Sequence, residues 1–545
     1  MLAVAQAVRL DCSNGGTTVT LEGGGASYLI VPQFPTDQAA NLLVAYSMAS
    51  GALAAAAPAA ARARGLAGPG SGALRGEAGI LPPMQPNLAQ LAADRMLRAR
   101  ARQQVLAPAF RLSALRDGAP GPAAAPPPVG SIRSFHVLSS FDPSAPAWKS
   151  VAAQLAYAGG GILLYVDTLT PAGGFTPAQL QSYGQYLDQV LYPIDTTAFG
   201  GPSDVDGNAR VIMLMSPVVN ADTPTATCQN QGFIAGFFNE EDFNGPSDAN
   251  SNQGEIFYSI VPDPNGTFSC AHTVAGLQGA VPATFMHELQ HLIDFSQHVI
   301  VSGGAPGSSW LDEGLSIVSE ELGSLYFEQK CPPPACRTNP AQIFPDSSQG
   351  FVQNLLYDSY QYALLPDTAS LTLHDDSEFG FSWRGGDWLL LRWLGDQKGT
   401  GFYRALERGP SNGVINIEQA AGQSFPSLFA DFGLALYTDS LPGLPRTTAP
   451  AVNRFTTRNV TRIWARLYTT SGPTLEFPTA QPVQLVPITA DTSAWVMVPG
   501  TMTYFRLDTP ASAATVTIRF AAPGGLGFSP ALKAQMAIFR LPAGQ

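Results

Sequence analysis

The sequence predicts an α+β fold in a chain of 545 residues, which is long enough for two to four domains. Short runs of alternating apolar and polar residues, typical of β-strands, occur near both ends. From Ser131 onward, strand-like and helix-like segments follow one another, and helical spacing predominates after Pro282. We therefore expect a mixed β-sheet followed by a mostly helical region, with β-rich regions on either side.

These patterns divide the chain into four regions. Residues 1–50 contain alternating runs such as TTVTLEG and predict a β-rich segment after the remnant of a signal peptide. Residues 51–130 are rich in Ala, Pro and Gly and predict a linker, within which Asn87–Gln104 has a helical pattern; a propeptide-like element is the alternative. Runs such as AWVMVPG and ATVTIRFAA, separated by Pro/Gly turns, predict a C-terminal β-sandwich over residues 455–545.

Residues 131–445 form the main predicted domain. We expect a helix, a strand, a helix and two strands in chain order: Trp148–Tyr157, Gly161–Asp167, Pro177–Tyr192, Val211–Ser216 and Glu255–Val261. The region that follows is mostly helical, with its clearest helices at Asp387–Leu394 and Ile417–Leu436. This order of elements indicates one mixed β-sheet followed by packed helices.

The segment that begins at Pro282, PATFMHELQHLIDFSQH, has two distinct faces when it is placed on a helix. Proline suits a first helical turn, and the apolar residues recur at helical spacing. A separate stripe carries His287, His291, Asp294 and His298, spaced four, three and four residues apart. One face is therefore expected to pack into a core while the other presents polar side chains to a cleft.

The spacing of His287, Glu288 and His291 is typical of a zinc-dependent hydrolase. Imidazoles four residues apart lie one helical turn apart, so both can bind one metal ion. Glu288 stands one step round the helix, where a carboxylate can take a proton from water without binding the metal. The alternative is an amphipathic helix with ordinary polar-face histidines, but the chain has only 6 histidines in which an HExxH motif could arise by chance.

A second helix is predicted to begin at Trp310 and supplies candidates for a third metal ligand. Glu313 is the natural choice, and it would leave the fourth zinc position for water. Asp312 is expected to point elsewhere on this helix, and Asp294 to lie too close along the histidine helix. Glu320 shares a face with Glu313, and it would either orient a histidine or carry a solvated charge.

The two segments together resemble the active-site helices of a known class of enzyme. HELQHLIDF followed by WLDEGLS is similar to the gluzincin zinc peptidases, and more specifically to the hyicolysin family of secreted bacterial neutral metallopeptidases. The resemblance covers residues 130–440, including FGGPSDVDGNARVIMLMSPVVN. It implies a zincin-like catalytic domain with one zinc ion, held by His287, His291 and Glu313. DEGLSIVSE also resembles gluzincin aminopeptidases and implies that Glu320 is a supporting carboxylate.

The same resemblance implies a substrate-binding edge strand shortly before the histidine helix, for which Glu255–Val261 is the candidate. Related enzymes often use a Tyr or His from a later helix to stabilise the oxyanion. Here that helix reads FSWRGGDWLLLRWLGD and carries Trp383 where some relatives have tyrosine. Other candidates exist, and the spacing selects none of them: Tyr357, Tyr360, Tyr362 and His374.

Composition argues against some classes of partner. The net charge of −12, with scarce lysine and no basic run, argues against nucleic-acid binding. No stretch approaches the ~20 apolar residues of a membrane-spanning helix. Ala5, Gln6 and Ala7 form the small-x-small pattern that closes a secretory signal, although an Ala-rich start can arise by chance. We therefore expect a secreted protein that is extracellular, periplasmic or at the cell surface.

The five cysteines allow two disulfide bonds. Cys331 and Cys336 enclose a short loop, and Cys228 and Cys270 flank the segment before the histidine helix, which leaves Cys12. Disulfides would fit an oxidising compartment. No CxxC pair is present, so a zinc site built from cysteines is not expected.

A short acidic segment, SDVDGN, places Asp204, Asp206 and Asn208 at alternate positions. This spacing resembles the start of a calcium-binding loop, but the full EF-hand spacing and its closing glutamate are absent. A polar β-turn is the preferred interpretation, because Asp, Gly and Asn favour turns. The sequence gives calcium binding no further support.

As a whole, the sequence predicts a secreted zinc endopeptidase that acts on protein or peptide substrates. Two alternatives stay open. The β-rich ends are compatible with an adhesion or carbohydrate-binding protein whose peptidase site is vestigial. The DEGLSIVSE resemblance allows a zinc aminopeptidase, although no exopeptidase anchor such as GAMEN occurs. The sequence does not predict an oligomeric state.

Overall fold

The structure is a computed structural model, in which the chain divides into two compact units. The terminal unit contains Met1–Pro83, Asn354–Phe402 and Gly413–Gln545, and the central unit contains Met84–Gln353 and Tyr403–Asn412. The described residues are 2–13, 15–38, 43–50, 87–105, 125–142, 145–245, 248–331, 343–373, 382–446, 449–474, 476–488 and 493–543.

Strands and helices are numbered here in chain order over the described residues. The strands are β1 (Ala7–Asp11), β2 (Thr17–Glu22), β3 (Ser27–Gln33), β4 (Val44–Ser50), β5 (Ile132–Ser140), β6 (Ala147–Ala158), β7 (Ile162–Asp167), β8 (Val211–Met215), β9 (Gly236–Phe238), β10 (Ile256–Ser259), β11 (Val486–Pro487), β12 (Ser493–Met497), β13 (Phe505–Asp508), β14 (Thr515–Ala521) and β15 (Gln535–Arg540). The α-helices are α1 (Leu88–Val105), α2 (Pro177–Tyr186), α3 (Tyr192–Ala198), α4 (Pro217–Ala221), α5 (Thr225–Gln231), α6 (Val274–Asp294), α7 (Ser309–Lys330), α8 (Asp346–Leu364), α9 (Ser382–Lys398), α10 (Gly401–Glu407), α11 (Gly413–Ala421), α12 (Phe425–Thr438) and α13 (Val460–Ser471).

The terminal unit contains two β-sheets that are built from both ends of the chain. Strands β1 and β3 pair with β15, while β2 and β4 pair with β14, and all four pairs are antiparallel. The strand orders are β1-β15-β3-β13-β11 and β12-β4-β14-β2. One apolar core draws side chains from both sheets, among them Tyr28, Ile30, Tyr46, Phe520 and Ile538.

This organisation differs from the predicted regional boundaries. The sequence predicts residues 1–50 and 455–545 as separate β-rich regions, whereas their strands share both sheets. Helices α9, α11 and α12 come from the predicted domain 131–445, yet they belong to the terminal unit. The local pattern of a strand shows that it is half-buried but does not identify its partner, so pairing between distant ends could not be predicted.

The central unit is built on a six-stranded mixed sheet of order β5-β6-β7-β8-β10-β9. Strands β7, β8 and β10 are parallel neighbours, and antiparallel strands complete the sheet on both sides. All residues of β8 and β10 are buried, as is usual for parallel strands covered on both faces. Beside β10, the three-residue strand β9 forms one edge of this sheet.

Two predicted elements of the central sheet are wrong. Trp148–Tyr157, predicted as a helix, lies in β6, where alternate residues from Val151 to Tyr157 are buried. Its alanines favour a helix, but pairing with β5 on one side and β7 on the other outweighs that local preference. Glu255–Val261, the predicted edge strand, contains β10, which lies between β8 and β9. The edge next to the histidine helix is β9.

Helix α6, which carries the histidine motif, begins earlier than predicted. Its first residue is Val274, and the Thr273 hydroxyl oxygen caps it by accepting a hydrogen bond from the Gly276 N–H. Pro282 therefore lies inside the helix rather than in its first turn. After Asp294, π-helical turns continue the chain as far as residue 301.

Helices α6 and α7 pack directly against each other. The Ser319 hydroxyl on α7 donates a hydrogen bond of 3.0 Å to the Met286 carbonyl on α6. At the next turn of α7, Gly323 lies so near α6 and α8 that a side chain there would crowd Met286 and the ring of Phe351. Among the described helices, none is long and apolar enough to cross a membrane.

Replacing Gly323 with Ala should destabilise the central unit. The added Cβ would lie 2.7 Å from the Met286 sulfur and from two ring atoms of Phe351. We expect this crowding to outweigh the gain of ~0.5–1 kcal/mol from replacing a helical glycine, with a net loss of about 1–2 kcal/mol. Thermal unfolding of the purified protein measures the change.

Gly279→Ala is the matched control, because Gly279 is an exposed glycine of α6 whose added Cβ would meet no atom within 4 Å. That variant should be slightly stabilised. Equal stabilisation by both substitutions would contradict the close approach at Gly323.

Candidate metal centre

The two histidines of α6 face each other at one buried point. The Nε2 atoms of His287 and His291 are 3.2 Å apart, and both side chains are buried. Two zinc ligands at about 2.0–2.1 Å in a tetrahedral site would lie about 3.3 Å apart. The spacing of the imidazole nitrogens therefore fits two ligands of one zinc ion.

The opposite nitrogen of each imidazole is held by a carboxylate of α7. His287 Nδ1 is 2.8 Å from Glu320 Oε1, and His291 Nδ1 is 2.7 Å from Asp312 Oδ1. An Nδ1–H that donates to a carboxylate leaves the lone pair of Nε2 available, which is the usual support of a metal-binding histidine. Asp312, which the sequence places on another face of the helix, thus performs the same task for His291 as Glu320 does for His287.

Glu313 brings a third group to the same point. One of its oxygens is 3.6 Å from His287 Nε2 and the other is 3.6 Å from His291 Nε2. Helix α7 thus presents Glu313 between the two residues that hold the imidazoles. Two neutral nitrogens and one carboxylate form a donor set typical of catalytic zinc, in which one position stays open.

The pKa values of the two imidazoles are shifted in opposite directions. Burial disfavours the charged form of His287, but hydrogen bonds and charges from Glu313 and Glu320 outweigh burial and raise its pKa to about 10. Burial lowers the pKa of His291, despite the neighbouring charge of Asp312. The carboxylates of α7 thus favour positive charge at His287, whereas burial disfavours it at His291.

Glu288 lies beside this point and is held from the side of the edge strand. Its Oε2 accepts a hydrogen bond of 3.0 Å from the Phe238 N–H of β9, and the Arg98 guanidinium is 3.6 Å away. Its Oε1 is buried and has no hydrogen-bond partner among the described residues. Burial, together with the charge of Asp94, raises the pKa of Glu288 to about 8. One oxygen is thus anchored while the other is available to a small molecule.

By distance alone, Glu288 could also be a metal ligand. It offers one oxygen within 4.8 Å of nitrogens of His287 and His291. The hydrogen bond from Phe238 and the approach of Arg98 occupy its Oε2, whereas Glu313 directs both oxygens at the Nε2 atoms. The geometry therefore favours Glu313 over Glu288 as the third carboxylate at this point.

Arg98 is the functional candidate that the sequence pattern did not reveal. The helical stretch Asn87–Gln104 is confirmed as α1, but this helix is part of the central unit rather than a linker. Arg98 is buried there and forms an ion pair with Glu240. Burial alone would lower the pKa of Arg98, but the charges of neighbouring carboxylates, chiefly Glu240 and including Glu288, outweigh burial and raise it. The available signal in the sequence was an arginine-rich helix in an Ala-rich region. The acidic partner of Arg98, Glu240, lies far along the sequence, so the pattern did not reveal the pair.

The structure places the other candidates elsewhere. Asp294 hydrogen-bonds to Glu407. The candidates for the oxyanion role belong to the terminal unit as far as they are described: Tyr357, Tyr360, Tyr362 and Trp383. His374 lies outside the described residues.

The cysteines follow the predicted pairing where they are described. Cys228 and Cys270 form a disulfide bond with a Cα–Cα distance of 5.9 Å. Cys12 is buried and free. Cys331 is disulfide-bonded, while Cys336 lies outside the described residues.

Comparison with known proteins gives partial similarity to metallopeptidases. No family model matches the chain. A curated relative, the neutral metalloprotease ShpI of Staphylococcus hyicus, is 27% identical over 176 residues, which are 32% of this chain and 36% of that protein. The chain thus spans about a third of the length of this relative. Part of the chain is therefore similar in sequence to a neutral metalloprotease.

One solved structure also has local likeness to the chain. It is an M1 zinc metallopeptidase from Deinococcus radiodurans, crystallised as a mutant with a peptide substrate. The match has 11% identity, covers 64% of this chain and 54% of the other, and has a TM-score of 0.24. A score this low does not support a shared fold.

Removing the charge of either supporting carboxylate should weaken zinc binding. In Asp312→Asn or Glu320→Gln, the imidazole Nδ1–H loses its charged acceptor, so both orientation and basicity of the ligand suffer. We expect zinc affinity to fall about 10–100-fold, as measured by competition with a chromophoric chelator.

Glu328→Gln is the control, because Glu328 lies two turns further along α7 and accepts a hydrogen bond from Ser324 instead. Its zinc affinity should equal that of the wild type. If all three variants bound zinc equally well, the carboxylates would have no supporting role.

Proposed function

We propose that this protein is a zinc-dependent endopeptidase of the gluzincin type, similar to the hyicolysin family. The observation that carries the proposal is the convergence of His287 Nε2, His291 Nε2 and Glu313 on one buried point, with Glu288 beside it. A vestigial site would be expected to lack a ligand or the base, and this chain retains all four residues. No observation favours a surface adhesion or carbohydrate-binding role.

His287, His291 and Glu313 are the residues that would hold zinc. When bound, zinc supplies a Lewis acid that polarises the scissile carbonyl and lets water lose a proton near neutral pH. Asp312 and Glu320 keep the two imidazoles in the tautomer that binds through Nε2. The site thus needs no rearrangement of its ligands before the metal binds.

Glu288 is the proposed general base. Its free Oε1 accepts a proton from the attacking water and later delivers it to the leaving amine nitrogen. The Phe238 N–H and Arg98 stabilise the carboxylate at Oε2, so the side chain keeps its position during both transfers. This arrangement separates proton transfer by Glu288 from metal binding by Glu313.

The edge strand β9 is the proposed peptide-binding strand. It lies at the edge of the sheet, and its Phe238 N–H already reaches the Glu288 carboxylate. An extended substrate that added to β9 through main-chain hydrogen bonds would pass beside the catalytic residues. In this mode of binding, β9 would form hydrogen bonds with main-chain groups of the substrate and would need no free amino terminus. This favours endopeptidase activity over aminopeptidase activity.

Secretion is part of the same proposal. The Cys228–Cys270 disulfide lies in the central unit and supports an oxidising compartment. The predicted substrate is therefore an extracellular, periplasmic or surface-exposed protein or peptide.

Glu288→Gln should keep its zinc and lose turnover. Glutamine fills the same space and can still accept from Phe238, but it cannot take a proton from water. We expect one zinc per chain and a fall in kcat of about 10²–10⁴-fold. The assay is hydrolysis of a peptide blocked at both ends, with zinc measured on the same sample.

Glu328→Gln again serves as the conservative control and should hydrolyse the peptide at the wild-type rate. A zinc-loaded Glu288→Gln protein with the wild-type rate would show that another group is the base. Hydrolysis of free-amine peptides but never of blocked ones would favour an aminopeptidase.

A further inference from the structure

A second group of acidic side chains lies away from the zinc residues, where the loop before β8 meets the start of β10. Asp204, Asp206 and Glu255 each offer one carboxylate oxygen, and these oxygens all lie within 4.8 Å of one another. Asp204 and Asp206 belong to the SDVDGN segment, whereas Glu255 is about fifty residues further along. The fold thus supplies a glutamate next to a loop that lacks one in its own sequence.

Glu255 is buried, with 1% of its surface exposed. Its Oε1 accepts hydrogen bonds from the Ser203 hydroxyl at 2.7 Å and from the Val205 N–H at 2.9 Å. Its Oε2 is also buried but has no hydrogen-bond partner among the described residues. Burying a carboxylate oxygen without a partner is costly, and a cation bound beside the oxygen would offset that cost.

The protein itself compensates these carboxylates only in part. Arg133 acts on Asp206 through its charge, but its guanidinium donates to the Asn252 carbonyl at 2.9 Å and lies over the Phe135 ring. Burial raises the pKa of Glu255 to about 7, and the nearby charge of Asp206 adds to the increase.

We propose that Asp204, Asp206 and Glu255 bind a calcium ion. Calcium takes six to eight oxygen ligands and tolerates irregular geometry, which suits a group of carboxylates on a loop and a strand. The backbone of the loop turns at Gly207, where φ is +70°. Asn208 donates to Asp206 and fixes its carboxylate. The glutamate that closes an EF-hand loop comes here from the start of β10, so the sequence pattern alone could not show it.

Bound calcium would tie the loop before β8 to the start of β10. Strand β10 lies between β8 and the edge strand β9, so this cross-link would stabilise the sheet that carries the proposed peptide-binding edge. The expected effect is therefore on stability, with zinc content unchanged.

The test is calcium titration of the zinc-loaded full chain, by calorimetry and by thermal unfolding. One calcium per chain and a rise in Tm are expected for the wild type, with no such rise in equimolar magnesium. In Glu255→Gln and in Asp204→Asn, calcium affinity should fall at least 10-fold. Calcium should then no longer raise the Tm of either variant.

Asp248→Asn is the matched control, because Asp248 caps a separate loop through Asn244 and Asn250. It should bind calcium like the wild type. Without calcium, Glu255→Gln should have a Tm equal to or above that of the wild type, because the substitution removes one of the clustered charges. A Tm in this range would show that the variant folds. No calcium binding by the wild type, or equal binding by Glu255→Gln, would overturn the proposal.

Discussion

Two hydrogen bonds between α6 and α7 hold the metal centre in place. His287 donates to Glu320 and His291 donates to Asp312, so each imidazole of α6 is fixed by a carboxylate of α7. Both Nε2 atoms are thereby turned toward Glu313, which lies between the two carboxylates in sequence. Glycine at position 323 lets the helices approach, and the edge strand positions Glu288 from the other side. The geometry of the candidate metal centre depends on this helix pair.

Burial and charge explain why the same site is suited to a cation. Burial raises the pKa of Glu288 and Glu240, and Arg98 compensates part of that cost. The two imidazoles bring their Nε2 atoms within 3.2 Å of each other, and neighbouring carboxylates raise the pKa of His287. A divalent ion would satisfy both nitrogens and Glu313 together, so the free energy of zinc binding should also stabilise the fold.

Sequence reasoning succeeded where the information is local. A spacing of four residues on a helix suffices to bring His287 and His291 together, and the neighbouring helix motif contains Glu313, which lies 3.6 Å from each Nε2. It failed where the partner is distant in sequence: Arg98 on α1, the edge strand β9, and Glu255 beside the SDVDGN loop. The same limit explains β6, whose helix-favouring alanines are overruled by pairing on both edges. Long-range contacts decide these cases, and a local pattern does not encode them.

Zinc K-edge X-ray absorption spectroscopy of the purified protein tests the central claim most directly. The account predicts one zinc per chain with four nitrogen or oxygen neighbours at about 2.0–2.1 Å. The outer-shell scattering should correspond to two imidazoles. The Glu313→Gln substitution should change the first shell of zinc neighbours, while the scattering from both imidazoles remains. A sulfur neighbour near ~2.3 Å would place the metal at cysteine. That result, or an absence of tightly bound zinc, would contradict a centre built from His287, His291 and Glu313.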